Sequence, residues 1–169
     1  MDRQEVLNRF VRHVVSQAKK NLTTGNRNAS KKLYNSIKGE AKSFPNSIGI
    51  YFEMEPYGLF QDQGVKGTKS GQSYSNFKYT NKMPPPKAFD KWTIRRGLAP
   101  REKGGKFKSR KSLNFAIARS VYEKGIKPTL FFTKPFEAAF KNLPDDLVDV
   151  FGLEAVQMFD DILRQNLKR

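Results

Sequence analysis

The chain of 169 residues contains no cysteine and only one histidine, His13. Disulfide bonds, thiolate zinc sites and cysteine catalysis are therefore excluded, and a metal site would have to be built from carboxylates. No run of residues approaches the roughly 20 apolar residues that cross a bilayer, and the N-terminal residues lack the apolar core of a signal peptide. We therefore expect a soluble protein with no membrane partner.

Acidic residues are also nearly missing from the middle of the chain. Residues 66–111, here called the basic segment, contain fourteen Lys and Arg residues but only Asp90 and Glu102, so they carry +12 of the formal net charge of +16. Glycines and a run of three prolines interrupt the same stretch, which is typical of a long insertion. We therefore predict a single domain over residues 1–169, with a basic Gly- and Pro-containing insertion at about 66–112.

The basic segment offers a surface for anions, either DNA phosphates or acidic neighbouring proteins. Its candidate binding cations are Lys66, Lys69, Lys78, Lys82, Arg95, Arg96, Arg101, Lys103, Lys106, Lys108, Arg110 and Lys111. Its candidate interface aromatics are Tyr74, Phe77, Tyr79 and Trp92. A solvated, mobile surface loop is the alternative interpretation, but aromatic residues this close together favour burial against something.

Periodic apolar residues predict an amphipathic helix at each end of the chain. Apolar residues recur at four-residue spacing from Val6 to Leu22, and the closing helix, which begins at Pro144, repeats that pattern. The predicted apolar stripe of the closing helix consists of Leu147, Phe151, Ala155, Phe159 and Leu163. Both helices should therefore pack one face on a core.

Strict alternation of apolar residues predicts a β-hairpin between these helices. Its second strand has Ile48, Ile50, Phe52 and Met54 on one face. The first strand is expected to begin near Ser36, although residues 29–37 could instead form a short helical turn, and Pro45 and Asn46 form the expected turn of the hairpin. The fold class is therefore α+β, with the hairpin or a small sheet packed by helices.

Shorter elements follow the hairpin. Residues 57–64 suggest one helical turn that ends at a glycine, after which we expect regular structure to stop. Residues 86–96 predict a helix, and residues 113–123 predict another with Leu113, Ile117 and Val121 on its apolar face. A loop or short strand at 129–133 and a helix that begins near Pro135 complete the expectation.

Three separated motifs, taken in order, resemble the tail-completion, or neck, proteins of long-tailed bacteriophages of the lambda type. The first motif leads into the hairpin, the second follows it with a Gly-Thr turn, and the third is a Pro-Phe block before the closing helix. The residues that carry the resemblance are Leu33, Ser36, Ile37, Tyr57, Gly64, Gly67, Thr68, Pro135, Phe136 and Phe140. The long stretch from Ser70 to Ser112 departs from the family, which has a shorter connection there.

The resemblance implies a structural virion protein without enzymatic activity or a cofactor. Such a protein forms a homo-oligomeric ring of about six or twelve copies that joins the capsid connector to the tail. Its implied partners are its own copies, the adjacent head-closure or connector proteins, and the tail terminator or tube proteins, with packaged DNA nearby. Its implied location is the virion neck, after assembly in the cytoplasm of the bacterial host.

The charge of the closing helix suggests how such a ring could be held together. From Pro144 onwards there are six acidic and three basic residues, a net charge opposite to that of the basic segment. We hypothesise that the basic segment of one subunit packs near Asp145, Asp146 and Asp149 of its neighbour. The alternative is that these acids only cap and solvate their own helix.

Two other functions fit parts of the sequence. A sequence-independent nucleic-acid-binding protein would need little beyond the basic segment and its aromatic residues. A magnesium-dependent nuclease could use Glu53, Glu55 and Asp62, or Glu40 nearby. Strand alternation directs Glu53 and Glu55 towards solvent, however, and no third ligand is placed beside them, so we expect no enzyme.

Overall fold

The computed structural model describes residues 2–44, 47–69, 75–101, 104–107, 109–150 and 152. Its helices are α1 (Arg3–Thr24), α2 (Lys32–Ser36), α3 (Tyr57–Gln63), a 3₁₀-helix (Pro86–Phe89), α4 (Asp90–Arg95), α5 (Arg110–Lys124) and α6 (Thr133–Phe140). Its strands are β1 (Lys38–Phe44), β2 (Ser47–Glu53), β3 (Val65–Lys66) and β4 (Gly125–Ile126). The protein is α+β, as the sequence predicted. No helix of the described residues is long and apolar enough to cross a membrane.

Helix α1 lies at the centre of the hydrophobic core. All five residues of its predicted stripe are buried, together with Leu7 and Val11. Its N-terminal half packs against the hairpin and the closing helix, whereas Ala18 and Leu22 pack with Leu33 and Phe131. Helix α1 ends at Thr24, immediately before a glycine.

Strands β1 and β2 form the predicted antiparallel hairpin. The register pairs Lys38 with Glu53 and Phe44 with Ser47, so the predicted turn at 45–46 lies outside the described residues. The first strand begins two residues later than expected because α2 occupies residues 32–36. Ile50 and Phe52 pack on the core, as the alternation predicted, but Ile48 is 39% exposed because it lies near the end of the hairpin.

A cluster of phenylalanines joins α6 to α1 and the hairpin. The ring of Phe136 lies 5.9 Å from the rings of both Phe10 and Phe52, measured between centroids, and 5.5 Å from that of Phe140. Pro135 is buried at the third position of α6, where a missing N–H costs no helical hydrogen bond. The predicted Pro-Phe block is therefore part of the core.

Regular structure does not stop after α3, which corrects the sequence expectation. Strand β3 follows at once and pairs with β4, Val65 opposite Ile126 and Lys66 opposite Gly125. Residues 65–126 are thus closed at their base into a unit that we call the lobe. Helix α5 (Arg110–Lys124) belongs to the lobe, so the lobe extends beyond residue 112.

The lobe buries polar side chains beside α5, whose predicted apolar face is only half-buried. Asn114 and Ala118 are the buried residues of that helix, and Leu113, Ile117 and Val121 are only half-buried. The Oγ1 of Thr93 donates to Oδ1 of Asn114 at 3.2 Å, and Nδ2 of Asn114 donates to a carboxylate oxygen of Asp90 at 3.1 Å. Hydrogen bonds thus join α4 to α5, and the apolar stripe of α5 does not form this contact.

The closing helix is described at residues 143–150 and at 152. Leu143 and Val150 are buried against α1, and Leu147 is half-buried beside them. The sequence did not place Val150 in the stripe. The stripe residues Phe151, Ala155, Phe159 and Leu163 lie outside the described residues.

Candidate interaction site: a basic cleft beside the lobe

A cleft of about 630 Å³ separates the lobe from the residues that connect α1 to α2. Its lining includes the aliphatic side chains of Leu33, Ile117, Val121 and Ile126. Its cationic residues are Arg27, Lys31, Lys32, Lys91, Arg95 and Arg96, and none of its described lining residues is acidic. The half-buried stripe of α5 therefore contributes to a surface that combines apolar and positively charged groups.

The connection after α1 places cations at one edge of the cleft. Asn26 and Lys31 both adopt left-handed backbone conformations, with φ of 51° and 54°. These turns fold residues 27–31 into a compact loop rather than continuing the helix. Lys32 then forms an ion pair with Glu55 at 3.1 Å, which holds the start of α2 against the end of the hairpin.

Helix α4 provides the opposite edge. Trp92, the only tryptophan of the chain, is 40% exposed and lines the cleft with Lys91 and Arg95. The Nη1 of Arg96 donates to Oδ1 of Asn26 at 2.8 Å, and its Nη2 donates to the carbonyl oxygen of Asn26. This bidentate contact fixes the lobe against the loop that follows α1, so both edges of the cleft are held in place.

Two buried polar atoms of the lining residues have no hydrogen-bond partner among the described residues. They are Oε1 of Gln61 and Nε of Arg96. Buried polar groups in proteins are almost always satisfied, so each of these atoms calls for a partner. The first is a hydrogen-bond acceptor and the second a donor.

The structure describes ten of the twelve predicted cations, and their surroundings differ. Lys69 lies 3.2 Å from Glu123, Arg96 binds Asn26, Arg101 lies 4.4 Å from the ring centroid of Phe107, and Arg110 lies 3.9 Å from Asp90. Lys66 is half-buried in β3, and Lys103 and Lys108 lie outside the described residues. The exposed remainder consists of Lys78, Lys82, Arg95, Lys106 and Lys111. The basic segment is thus partly committed to internal contacts.

The predicted interface aromatics have different environments. Phe77 packs edge-on against Phe60 with ring centroids 4.7 Å apart, and Tyr79 lies against Tyr122. Burial raises the pKa of Tyr79 above its usual value. Lys66 also pairs with Lys78, which lies between these two aromatic residues. Phe77 therefore packs the lobe against α3, and Tyr79 packs within the lobe. Trp92 keeps a large exposed surface, and Tyr74 lies outside the described residues.

The first family-like motif has a structural role at the entrance to the hairpin. Leu33 and Ile37 are buried in the core. The Oγ of Ser36 donates to the carbonyl oxygen of Leu33 at 2.8 Å and accepts from the backbone N–H of Glu55 at 3.0 Å. Tyr57 begins α3 and lines the cleft, where burial, followed by the charge of Glu55, raises its pKa.

The second motif forms a clasp at the base of the lobe rather than a free turn. Gly64 ends α3 with a φ of 74°, and a Cβ on Gly67 would lie 2.2 Å from the carbonyl oxygen of Glu123. The backbone N–H groups of Thr68 and Lys69 donate to the last carbonyl groups of α5, at 2.9 and 3.0 Å. These N–H groups are already used, so they form no phosphate cradle.

Three of the acidic residues considered for a nuclease have separate structural partners, and the fourth, Glu53, is exposed. Asp62 is 2% exposed and accepts hydrogen bonds from the N-terminal residues of α6. Glu55 is paired with Lys32, and Glu40 with Lys42 at 3.1 Å. No group of three metal-binding side chains occurs among the described residues.

The three acidic residues proposed for a contact between subunits lie on the closing helix. Oδ2 of Asp146 forms an ion pair with Nη2 of Arg9 at 3.2 Å, so its carboxylate is engaged within the chain. Asp145 and Asp149 are exposed. The hypothesis of an intersubunit contact therefore applies to Asp145 and Asp149 alone.

No family model, curated protein or solved structure matches this chain. The cleft therefore has to be interpreted from its own chemistry. The sequence interpretation included Arg95, Arg96 and Trp92. It missed the other cations of the cleft, which are Arg27, Lys31, Lys32 and Lys91. The close spacing of three cations in residues 27–32 could have indicated the first edge. Nothing in the sequence indicated that this stretch faces α4.

Proposed function

We propose that this chain is a non-enzymatic structural protein of a bacteriophage neck, which forms a ring that joins the capsid connector to the tail. The proposal starts from the ordered resemblance of three motifs to tail-completion proteins. A neck protein acts through surfaces, so its working residues should be interface residues rather than a catalytic set. Its partners would be its own copies and the connector and tail proteins on either side.

The observation that carries the proposal is that residues from all three motifs have structural roles in one scaffold. Leu33 and Ile37 pack beneath α1, Phe136 packs between α1 and the hairpin, and Gly67 permits the closure of the lobe. These residues are separated by up to a hundred positions in sequence, so their roles are not a consequence of local composition. Residues that specify a scaffold are those that a family would share, which supports the resemblance.

The surface charge is compatible with the same proposal. Lys78, Lys82 and Lys106 are exposed on the lobe, where they could face packaged DNA or acidic neighbouring proteins. Neither use needs sequence recognition. The same cations are the reason to keep a sequence-independent nucleic-acid-binding protein as the second candidate.

Native mass spectrometry across a salt series, with and without a short DNA duplex, tests the two candidates together. A closed multimer of about six or twelve copies, or a monomer indifferent to DNA, is expected for a neck protein. A small complex that forms only with DNA and disappears as salt rises would contradict the neck proposal and favour nucleic-acid binding.

Two charge-reversed variants distinguish the two candidate functions further. Replacing Lys78, Lys82 and Lys106 by Glu should abolish a complex with DNA if the exposed cations of the lobe hold it. Replacing the exposed pair Asp145 and Asp149 by Lys should instead weaken ring formation at low salt if the closing helix contacts a neighbour. Unchanged ring formation in the second variant would remove that contact from the proposal.

A further inference from the structure

The cleft is suited to a peptide that is apolar on one face and acidic beside it. Leu33, Ile117, Val121 and Ile126 supply aliphatic surface, and cations stand on both edges. The aromatic lining residues are Tyr57, Phe89 and Trp92, and the rest of the apolar lining is aliphatic, which does not stack on nucleobases. A nucleic-acid strand would therefore gain little from the aliphatic part of this surface, whereas an amphipathic helix would gain from both parts.

The chain itself contains a segment of this chemistry. Residues 151–163 include Glu154, Asp160 and Asp161 but no Lys or Arg. The same segment contributes the apolar residues Phe151, Ala155, Phe159 and Leu163, whose four-residue spacing predicts an amphipathic helix. The six cations of the cleft and the three acids of the segment are electrostatically complementary.

We infer that the cleft receives residues 151–163 of a second copy of this chain. This inference rests on the proposed ring and names one contact that would build it. The segment and the cleft are different surfaces, so the contact between two copies is heterologous. Repeated heterologous contacts form a closed ring when the rotation between neighbouring subunits returns to the first one.

Distance along the fold favours a second copy over the chain's own segment. Val150, which precedes the segment, is buried with Val6 and Leu7 near the start of α1. The cleft begins just beyond the other end of this 22-residue helix, which is about 33 Å long. A helix formed by residues 151–163 would span about 20 Å, too short both to cover that distance and to fill the cleft.

Sedimentation velocity of the full chain tests the contact by charge exchange. Lys91→Glu with Arg95→Glu, or Asp160→Lys with Asp161→Lys, should each weaken self-association by about tenfold or more. The four substitutions combined should restore it, because opposite charges then face each other again. The matched control is Lys134→Glu with Lys141→Glu, two exposed lysines that do not line the cleft, which changes the charge equally and should leave association nearly unchanged.

Trp92 gives an independent readout, because its fluorescence reports on the cleft alone. A synthetic peptide of residues 151–163 should shift its emission in the full chain or in the variant with Asp160→Lys and Asp161→Lys, and a peptide with its three acids replaced by Lys should not.

Failure of the combined variant to recover association, or no response of Trp92 to the peptide in either protein, would overturn the inference. A ring that persists in the Lys91→Glu, Arg95→Glu variant would also overturn it, while leaving the neck proposal standing. Loss of the ring in every protein, with DNA-dependent complexes instead, would remove the neck proposal itself.

Discussion

Asp62 is a carboxylate that organises two elements distant in sequence. Its Oδ1 accepts from the backbone N–H groups of Phe132 at 2.8 Å and Thr133 at 3.2 Å, and its Oδ2 accepts from the hydroxyl of Thr133. Its carbonyl oxygen also accepts from the N–H of Leu130 at 2.9 Å. A residue of α3 thus caps α6, which provides a structural reason for its burial.

Replacing Asp62 by Ala should destabilise the fold by about 2 kcal/mol, because two N–H groups at the start of α6 lose their acceptor. Asp62→Asn keeps one acceptor oxygen and should cost less. Urea denaturation followed by circular dichroism measures both. Glu53→Ala, which removes an exposed carboxylate of β2, is the control and should change stability by less than about 0.5 kcal/mol. Equal stability of Asp62→Ala and the wild type would contradict the capping role.

Glu123 should titrate below its usual pKa of 4.5, chiefly because Arg119 donates to it and secondly because Lys69 does. Any stability that Glu123 contributes is present above the unfolded-state pKa and is lost as the pH falls through the lower folded-state pKa. NMR titration should show the pKa rising towards 4.5 in Arg119→Gln and rising less in Lys69→Gln. A larger rise of the pKa in Lys69→Gln than in Arg119→Gln would show that Lys69, not Arg119, contributes most to lowering the pKa of Glu123.

At the scale of elements, the base of the lobe depends on close approach of two backbones. A Cβ on Gly67 would meet the backbone at Glu123 and Gly125 at less than 2.6 Å, and Gly125 itself has a φ of 80°. Strands β3 and β4 pair at only two positions, so they have little redundancy. The glycines are therefore required for the pairing rather than for a flexible turn.

Gly67→Ala should separate β3 from β4 and cost about 2 kcal/mol or more, since a backbone shift is needed to admit the methyl group. Limited proteolysis should then cleave the lobe faster while α1 stays protected. Gly104→Ala is the matched control, because a Cβ at that exposed position meets nothing within 4 Å. Faster cleavage in Gly104→Ala than in Gly67→Ala would contradict this account.

For the whole molecule, the two halves differ in what holds them together. The core around α1 buries large apolar residues, including Leu7, Leu22 and Phe131. The most buried side chains of the described lobe include the polar Ser75, Thr93 and Asn114. Hydrogen bonds contribute less net stability than apolar burial of similar area, so the lobe should be the less stable half.

Hydrogen exchange followed by mass spectrometry should therefore show faster exchange in α4 and α5 than in the middle of α1. Asn114→Ala should accelerate exchange in the lobe further, because Thr93 and Asp90 lose a buried partner, and should leave α1 nearly unchanged. Uniform exchange across both halves would show that lobe and core open as one cooperative unit.

The sequence by itself determined the elements whose pattern is local. The period of α1, the alternation in β2, the glycine after α3 and the proline early in α6 each act within a few residues, so the fold class could be predicted. The contact of Asp62 with α6, the pairing of β3 with β4 and the cleft between Arg27 and Trp92 were decided only by tertiary structure. Each joins residues far apart in sequence, and no local pattern records which distant backbone or side chain will meet them. For the same reason the sequence predicted the apolar stripe of α5 but not the surface that it lines, because periodicity identifies a face and not its neighbour.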